Sequence, residues 1–334
     1  MGTRILLFTL CSFMITFESL LAQDYLTGQV ISASSNEPLS HVSIFYDGTT
    51  LGTTTNEAGF FEIRWVKGLS SPLIISFIGF ESIEIDEIES SDLGVLKLKP
   101  KTVELNEVVL EEDIWSREKK LAIFLEEFLG TTKAGLESTI MNPEALILRF
   151  SSAEKTLYAF SDKPLLITNP YLGYSISCVL ENYETKFVDI DEKRPDVEVT
   201  IFSTRTLFSE NKGKKIDKRR RKAYEGSVLH FMRSLASKDL EKQGFRVFSG
   251  GFQIDPYSRL KLKSLKLYTE VTVLKKILYI QFENRKNSLM KSESSIFFID
   301  DYGNHRPTKS VLFGGEMGTY RLANLLPLDY RPVD

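Results

Sequence analysis

Leu26-Thr-Gly-Gln-Val-Ile31, Glu37-Pro-Leu-Ser-His-Val-Ser-Ile44, Gly52-Thr-Thr-Thr-Asn-Glu-Ala-Gly-Phe-Phe-Glu-Ile63 and Ile75-Ser-Phe-Ile-Gly-Phe80 are strand-length runs separated by turn chemistry. Val42, Ile44 and Tyr46 put alternate apolar residues on one face, the period a half-buried strand requires. Asn36-Glu37-Pro38 marks a turn. Asn56-Glu-Ala-Gly59 reads as a hairpin loop in which Gly59 takes the positive φ of the bend. Leu73 to Phe80 is nearly continuous apolar sequence, as expected of a central strand. Together these runs predict a small β-sandwich over residues 23–111.

The same runs resemble the carboxypeptidase-regulatory-like domain, a transthyretin-like sandwich common at the N-termini of exported envelope proteins. The resemblance implies an architecture and no reaction, because this domain is the non-catalytic partner in the enzymes it was named after. The family usually has Asp where Asn56 stands and Gly or Asn where Ala58 stands; the turn survives, and the substitutions weaken any case for a metal there. Leu105-Asn-Glu-Val-Val-Leu110 resembles the terminal strand that follows this domain in large outer-membrane nutrient receptors. Such receptors continue into a plug and a barrel of about 22 strands, each strand about 9–11 residues before loops. Only 224 residues follow Leu110, so the chain is not read as the receptor itself.

Met1 to Gln23 carries the pattern of a secretory signal. Arg4 supplies positive charge, Ile5 to Phe17 is an apolar run too short to span a bilayer, and Leu20-Leu-Ala22 offers a small residue for cleavage. Residues 1–22 are therefore expected to be removed, and the mature protein to be periplasmic or associated with the outer membrane. Cys11 lies in the leader, which leaves Cys178 alone in the mature chain and excludes an intramolecular disulfide.

The net charge of −3 hides an asymmetry. Residues 24–112 hold 15 acidic and 5 basic side chains, whereas residues 113–334 hold 29 acidic and 36 basic. The run Lys212 to Lys222, with eight basic residues and Asp217, accounts for the whole basic excess. Mutual repulsion predicts an extended, solvated loop there. Lys214, Lys215, Lys218, Arg219, Arg220, Arg221 and Lys222 are its candidates for contact with an anionic surface, either a membrane or an acidic envelope protein. Nucleic acid is set aside for an exported protein.

Beyond the sandwich, residues 112–135 read as a helical connector. Leu121, Phe124, Leu125, Phe128 and Leu129 form one apolar face and Gly130 ends it. Residues 136–334 read as a β-rich α+β domain with one main inserted helix, capped by Ser227 and seated through Val228, Leu229, Met232, Leu235 and Ala236. Expected strands include 145–151, 156–161, 165–168, 174–187, 197–208, 245–248, 262–274, 277–283, 295–299 and 311–313. The fold class is thus mainly β. The motifs Asn169-Pro-Tyr-Leu-Gly-Tyr174, Gly226-Ser-Val-Leu-His-Phe-Met-Arg-Ser-Leu235 and Leu325-Leu-Pro-Leu-Asp-Tyr330 resemble a group of exported "carboxypeptidase-like regulatory domain-containing proteins". That group implies no activity.

The residues offer no reaction either. His41, His230 and His305 have no partner at metal-ligand spacing, so no metal and no zinc-peptidase chemistry is expected. His230 is read as structural, His305 as exposed in a polar turn, and Cys178 as a small buried strand residue. Gly226-Ser227 reads as a helix cap, not a nucleophile elbow, and the pair Asp300-Asp301 near a turn is weak evidence for acid–base work. No catalytic or cofactor-binding residues are assigned. The expected role is an exported envelope protein that binds or scaffolds without catalysis. Two alternatives stand beside it. One is an accessory glycan- or peptide-binding component of nutrient uptake, which exposed rings at Tyr171 and Tyr174 would favour. The other is an unrecognised hydrolase, which perturbed polar groups buried in a cleft would favour.

Overall fold

The computed structural model describes residues 24–101, 114–190, 195–211 and 213–332. The leader and the run Leu105–Leu110 lie outside the described residues. The chain is mainly β, and its buried apolar side chains fall into three separate clusters.

The first cluster lies between two sheets. Strands β1 (Tyr25–Ser32), β2 (Ser43–Tyr46), β3 (Gly52–Thr54), β4 (Phe60–Arg64), β5 (Leu73–Ser76), β6 (Ile83–Ile85) and β7 (Asp92–Leu98) form the orders β4-β1-β7 and β3-β2-β5-β6. Alternation decides what is buried: Leu26, Val30, Phe61 and Ile63 from one sheet face Ile44, Tyr46, Leu73 and Ile75 from the other. The Asn56–Gly59 loop is not the hairpin expected. β3 pairs β2 and β4 pairs β1, so the loop carries the chain from one sheet to the other. Its turn chemistry is as expected: the Asn56 side-chain oxygen accepts from the backbone of Ala58 and Phe60, and Gly59 has φ +76°. A Cβ on Gly59 would lie 2.5 Å from the Val30 carbonyl oxygen.

The second cluster is built by helix α1 (Arg117–Leu129) on a six-stranded sheet. Ser116 caps the helix, Gly130 ends it with φ +94°, and Phe124, Phe128 and Leu129 are buried. A short helix α2 (Lys133–Glu137) leads into β8 (Thr139–Ile140), β9 (Leu146–Ser151), β10 (Thr156–Ser161), β11 (Leu165–Asn169), β12 (Tyr174–Asp189) and β13 (Asp196–Glu210). β12 pairs β11 with its first half and β10 with its second, while β13 runs along its other side. On the outer edge of β13 the first sandwich makes one bridge, Thr49 to Leu207, held by Gly48 N–H to Thr206 O and Phe208 N–H to Thr49 O, each 2.8 Å. Among the described residues no other strand pairs that edge.

The basic run corrects the sequence reading. It forms helix α3 (Lys214–Tyr224), followed at once by α4 (Val228–Ala236), so two helices and not one interrupt the strands. The third cluster packs α4 against two sheets made of β14 (Phe245–Ser249), β15 (Phe252–Ile254), β16 (Leu260–Ser264), β17 (Tyr268–Val273), β18 (Ile277–Phe282), β19 (Lys286–Ser292), β20 (Ile296–Asp300), β21 (His305–Arg306) and β22 (Val311–Gly315). The orders are β15-β14-β18-β19-β22 and β16-β17-β20-β21. The run read as one strand over 262–274 is a hairpin of β16 and β17, and β19 was not anticipated.

Polar contacts tie the clusters together. Arg205 bonds Asp47 and Glu84 of the first sandwich and Glu181 of its own sheet. Asp300 accepts from the backbone N–H and hydroxyl of Ser70, and Asp329 accepts from the Thr50 N–H and hydroxyl. No helix among the described residues is long and apolar enough to cross a membrane.

Candidate functional site

α3 is the feature the sequence singled out, and its cations have divided roles. Lys215, Lys218, Arg221 and Lys222 are exposed; the side chain of Lys214 lies outside the described set. Arg219 is half-buried, its guanidinium 4.6 Å from the Tyr171 ring centre and donating to the Tyr171 carbonyl. Arg220 is buried. It donates to the carbonyls of Leu172 (2.8 Å), Gly173 (2.8 Å) and Asn211 (3.2 Å), pairs with Glu210 at 3.0 Å, and lies 3.8 Å from the Tyr174 ring centre. Turning the run into a helix spreads the charges around its circumference, and one guanidinium exchanges water for a full set of acceptors. Ile216 seats the same face against Gly173, where a Cβ would meet it at 2.6 Å. Arg220 is therefore not available to an outside anion.

The three sequence motifs meet around this region as fasteners. Asn169 donates to Ala323 O and accepts from Leu172 N–H. Ser227 caps α4 by accepting from His230 N–H. Arg233 spreads over three carbonyls, Tyr302, Leu328 and Tyr330. Leu328 N–H returns to Gly48 O at 2.7 Å. Tyr174 is buried and Tyr171 lies under Arg219, so neither ring is an open ligand platform.

The remaining chemical candidates are also committed. His230 accepts from Gly226 N–H at Nδ1 and meets the Gln243 side-chain oxygen at Nε2, which fixes a neutral ring donating from Nε2; burial lowers its pKa. His305 is half-buried in β21 with Nε2 enclosed, not exposed as expected, and burial lowers its pKa too. Asp300 accepts from Ser70, Tyr302 and Asn304, and burial nevertheless raises its carboxyl. Cys178 is fully buried and its thiol is pushed far up, so it is not a thiolate nucleophile. Among the described residues no group of three His, Cys, Asp or Glu side chains is placed to hold a metal.

Two concave surfaces lie in the third cluster. A cleft of about 870 Å³ is walled by charges of both signs, including Lys238, Asp239, Glu241 and Arg246. A groove of about 590 Å³ lies on the outer face of the β14-β18-β19 sheet and contains Phe248, Gly250, Gly251, Tyr279, Gln281 and Asn287. The sequence reading passed over it because its residues lie inside strands. The available signal was an aromatic, Tyr279, at an outward position between the inward Leu278 and Ile280.

Comparison with known proteins bears on the first sandwich. Residues 26–110 match the family model described as the CarboxypepD_reg-like domain. These residues form a CarboxypepD_reg-like domain. The match covers about a quarter of the chain and ends before α1. No curated protein matches. Among solved structures, a 9R-lipoxygenase from Cyanothece PCC8801 aligns at 12% identity over 66% of this chain and 48% of the lipoxygenase, with a TM-score of 0.19. A superposition that poor carries no structural or functional argument.

Proposed function

We propose that the protein is an exported, non-catalytic binding or scaffold module of the cell envelope. The observation that carries this reading is the use made of its distinctive polar residues. Asn169, Arg220, Arg233, Asp300 and Asp329 each spend their hydrogen bonds on fastening backbone segments or neighbouring clusters. A hydrolase needs such groups turned toward substrate. What the molecule offers outward is surface: the CarboxypepD_reg-like sandwich, the cationic side of α3, and the groove on the last sheet. The leader pattern over residues 1–22 supports export. Lys215, Lys218, Arg221 and Lys222 suit a peripheral contact with anionic lipid or an acidic envelope protein. Cell fractionation with N-terminal sequencing, followed by crosslinking in intact envelopes, tests the reading. A mature chain starting near Gln23 and crosslinked to an envelope component is expected. Cytoplasmic protein retaining Met1 would overturn it.

A further inference from the structure

The groove on the outer face of the last sheet sets an aromatic ring beside two side-chain amides. Phe248, Tyr279 and Leu289 are directly opposed on β14, β18 and β19 and make one apolar row on the outer face. Tyr279 is 55% exposed, so its ring face is open to solvent. Beside Phe248 the turn from β14 to β15 brings Gly250 and Gly251 into the groove lining, and a Cβ on either would meet nothing within 4 Å. In the adjacent row Gln281 opposes Asn287 and donates to its side-chain oxygen at 3.1 Å. The Gln281 oxygen and the Asn287 NH₂ group have no other partner among the described residues, which leaves an acceptor and a donor beside the ring.

Three classes of ligand fit this surface poorly. A strand cannot add to it, because β14, β18 and β19 are each paired on both sides and their backbone groups are spent. An ionic ligand finds no charged side chain in the groove lining itself, the nearest cation being the exposed Arg246 opposite Gln281 on β14. A purely apolar ligand would cover the two amides and leave them unsatisfied. A neutral polyhydroxylated ring meets every condition: its C–H face lies on the tyrosine ring and its hydroxyls pair with the amides. We propose that this groove binds neutral glycan chains through the pyranose face. The proposal names a ligand class for the binding module described above and rests on that reading.

Titration calorimetry of the full mature chain with cellohexaose, maltohexaose, xylohexaose, mannohexaose and chitohexaose tests it. At least one should bind. Tyr279→Ala should weaken that affinity at least about tenfold and Gln281→Ala with Asn287→Ala about threefold, while Tyr279→Phe keeps it within about twofold. Phe160→Ala, an exposed ring on a different sheet, is the control and should change nothing. No binding by any hexasaccharide, or binding indifferent to Tyr279→Ala, overturns the proposal. Dimerisation of the chain abolished by Tyr279→Ala also overturns it, while leaving a binding role intact. Cytoplasmic protein that still binds glycan at Tyr279 would instead overturn the envelope reading alone.

Discussion

Arg220→Ala separates a seated helix from a solvated charge run. The wild-type guanidinium serves the carbonyls of Leu172, Gly173 and Asn211 and the Glu210 carboxylate. Glu210 keeps 38% of its side chain in solvent and Asn211 is exposed, so water replaces the arginine at both. The Leu172 carbonyl has no such relief, and a buried polar group stripped of its partner costs about 1–3 kcal/mol, whereas the Gly173 carbonyl keeps the Asn211 N–H at 2.8 Å. Losing the stack on Tyr174 adds about 1–2 kcal/mol. The sum is about 2–5 kcal/mol, a range that includes the loss seen when one member of a buried charged pair is removed. Arg220→Lys should recover less than half, since an ammonium cannot span acceptors that a planar fork reaches. Lys218→Ala and Arg221→Ala, on the exposed side, should stay within about ±0.5 kcal/mol. The assay is urea unfolding followed by Trp115 in a Trp65→Phe background. Trp115 stacks on Phe150 inside the second cluster, and these are the two tryptophans of the chain. Arg220→Ala with the same midpoint and slope as Arg221→Ala would show the run to be a free loop, and the reasoning would fail.

Acidification should weaken the fold near neutrality. Burial holds His230 and His305 below the ordinary 6.5, so the unfolded chain takes up protons first, and stability present above about pH 6.5 is lost as pH falls through the folded values. Arg233 and Lys286 beside His230 act in the same sense, and Glu283 opposes them. Asp47 and Asp300, raised from 3.8 by burial, have the opposite slope, losing stability as pH rises above 3.8. The urea midpoint should therefore fall between about pH 7.5 and 5.5, and His230→Gln should flatten the fall; a midpoint that rises over that interval contradicts the assignment. At the sheet crossover, Gly59→Ala should cost more than about 2 kcal/mol, because strain at φ +76° adds to the clash with Val30 O. Gly79→Ala, at φ +84° with nothing within 4 Å, should cost only the strain, about 1–2 kcal/mol. Equal melting temperatures for the two variants would mean that Gly59 tolerates a side chain.

Where alternation is clean, the strands could be read directly from the residues. Leu146–Ser151, Thr156–Ser161 and Tyr174–Asp189 place Leu148, Leu157 and Ile176 inward at every second position. β19 was missed because its inward positions, Ser288, Met290 and Ser292, are mostly polar. Its hairpin with β18 turns through Glu283 and Asn284, both at positive φ, without a glycine to mark it. The sheet crossover at Asn56–Gly59 has the same local turn chemistry as a hairpin, and only the long-range pairing of β4 with β1 distinguishes them. α3 escaped because its seated side is Ile216, Arg220 and Ala223, and an arginine does not announce burial. Its partners are carbonyls 47 and 48 residues away. The groove was illegible for a similar reason, since Phe248, Tyr279 and Gln281 come together only through strand register.

The outer edge of β13 has a further consequence. On the edge away from β12, its backbone groups from Asp196 to Thr204 meet no strand among the described residues, and from Thr206 to Phe208 they are met by Asp47, Gly48 and Thr49. Arg205, Ser70 and Asp329 hold the first sandwich through polar bonds, with Tyr302 packed against its core, so undocking gives up less apolar burial than melting a core. Undocking would extend the free edge through Thr206 to Phe208, on the same strand as Val199 and Ile201, which are already exposed. Such an edge templates the same strand of another copy. The docked sandwich thus shortens the free edge at the Glu210 end of β13, where Asp47, Gly48 and Thr49 occupy backbone groups that a second copy would need.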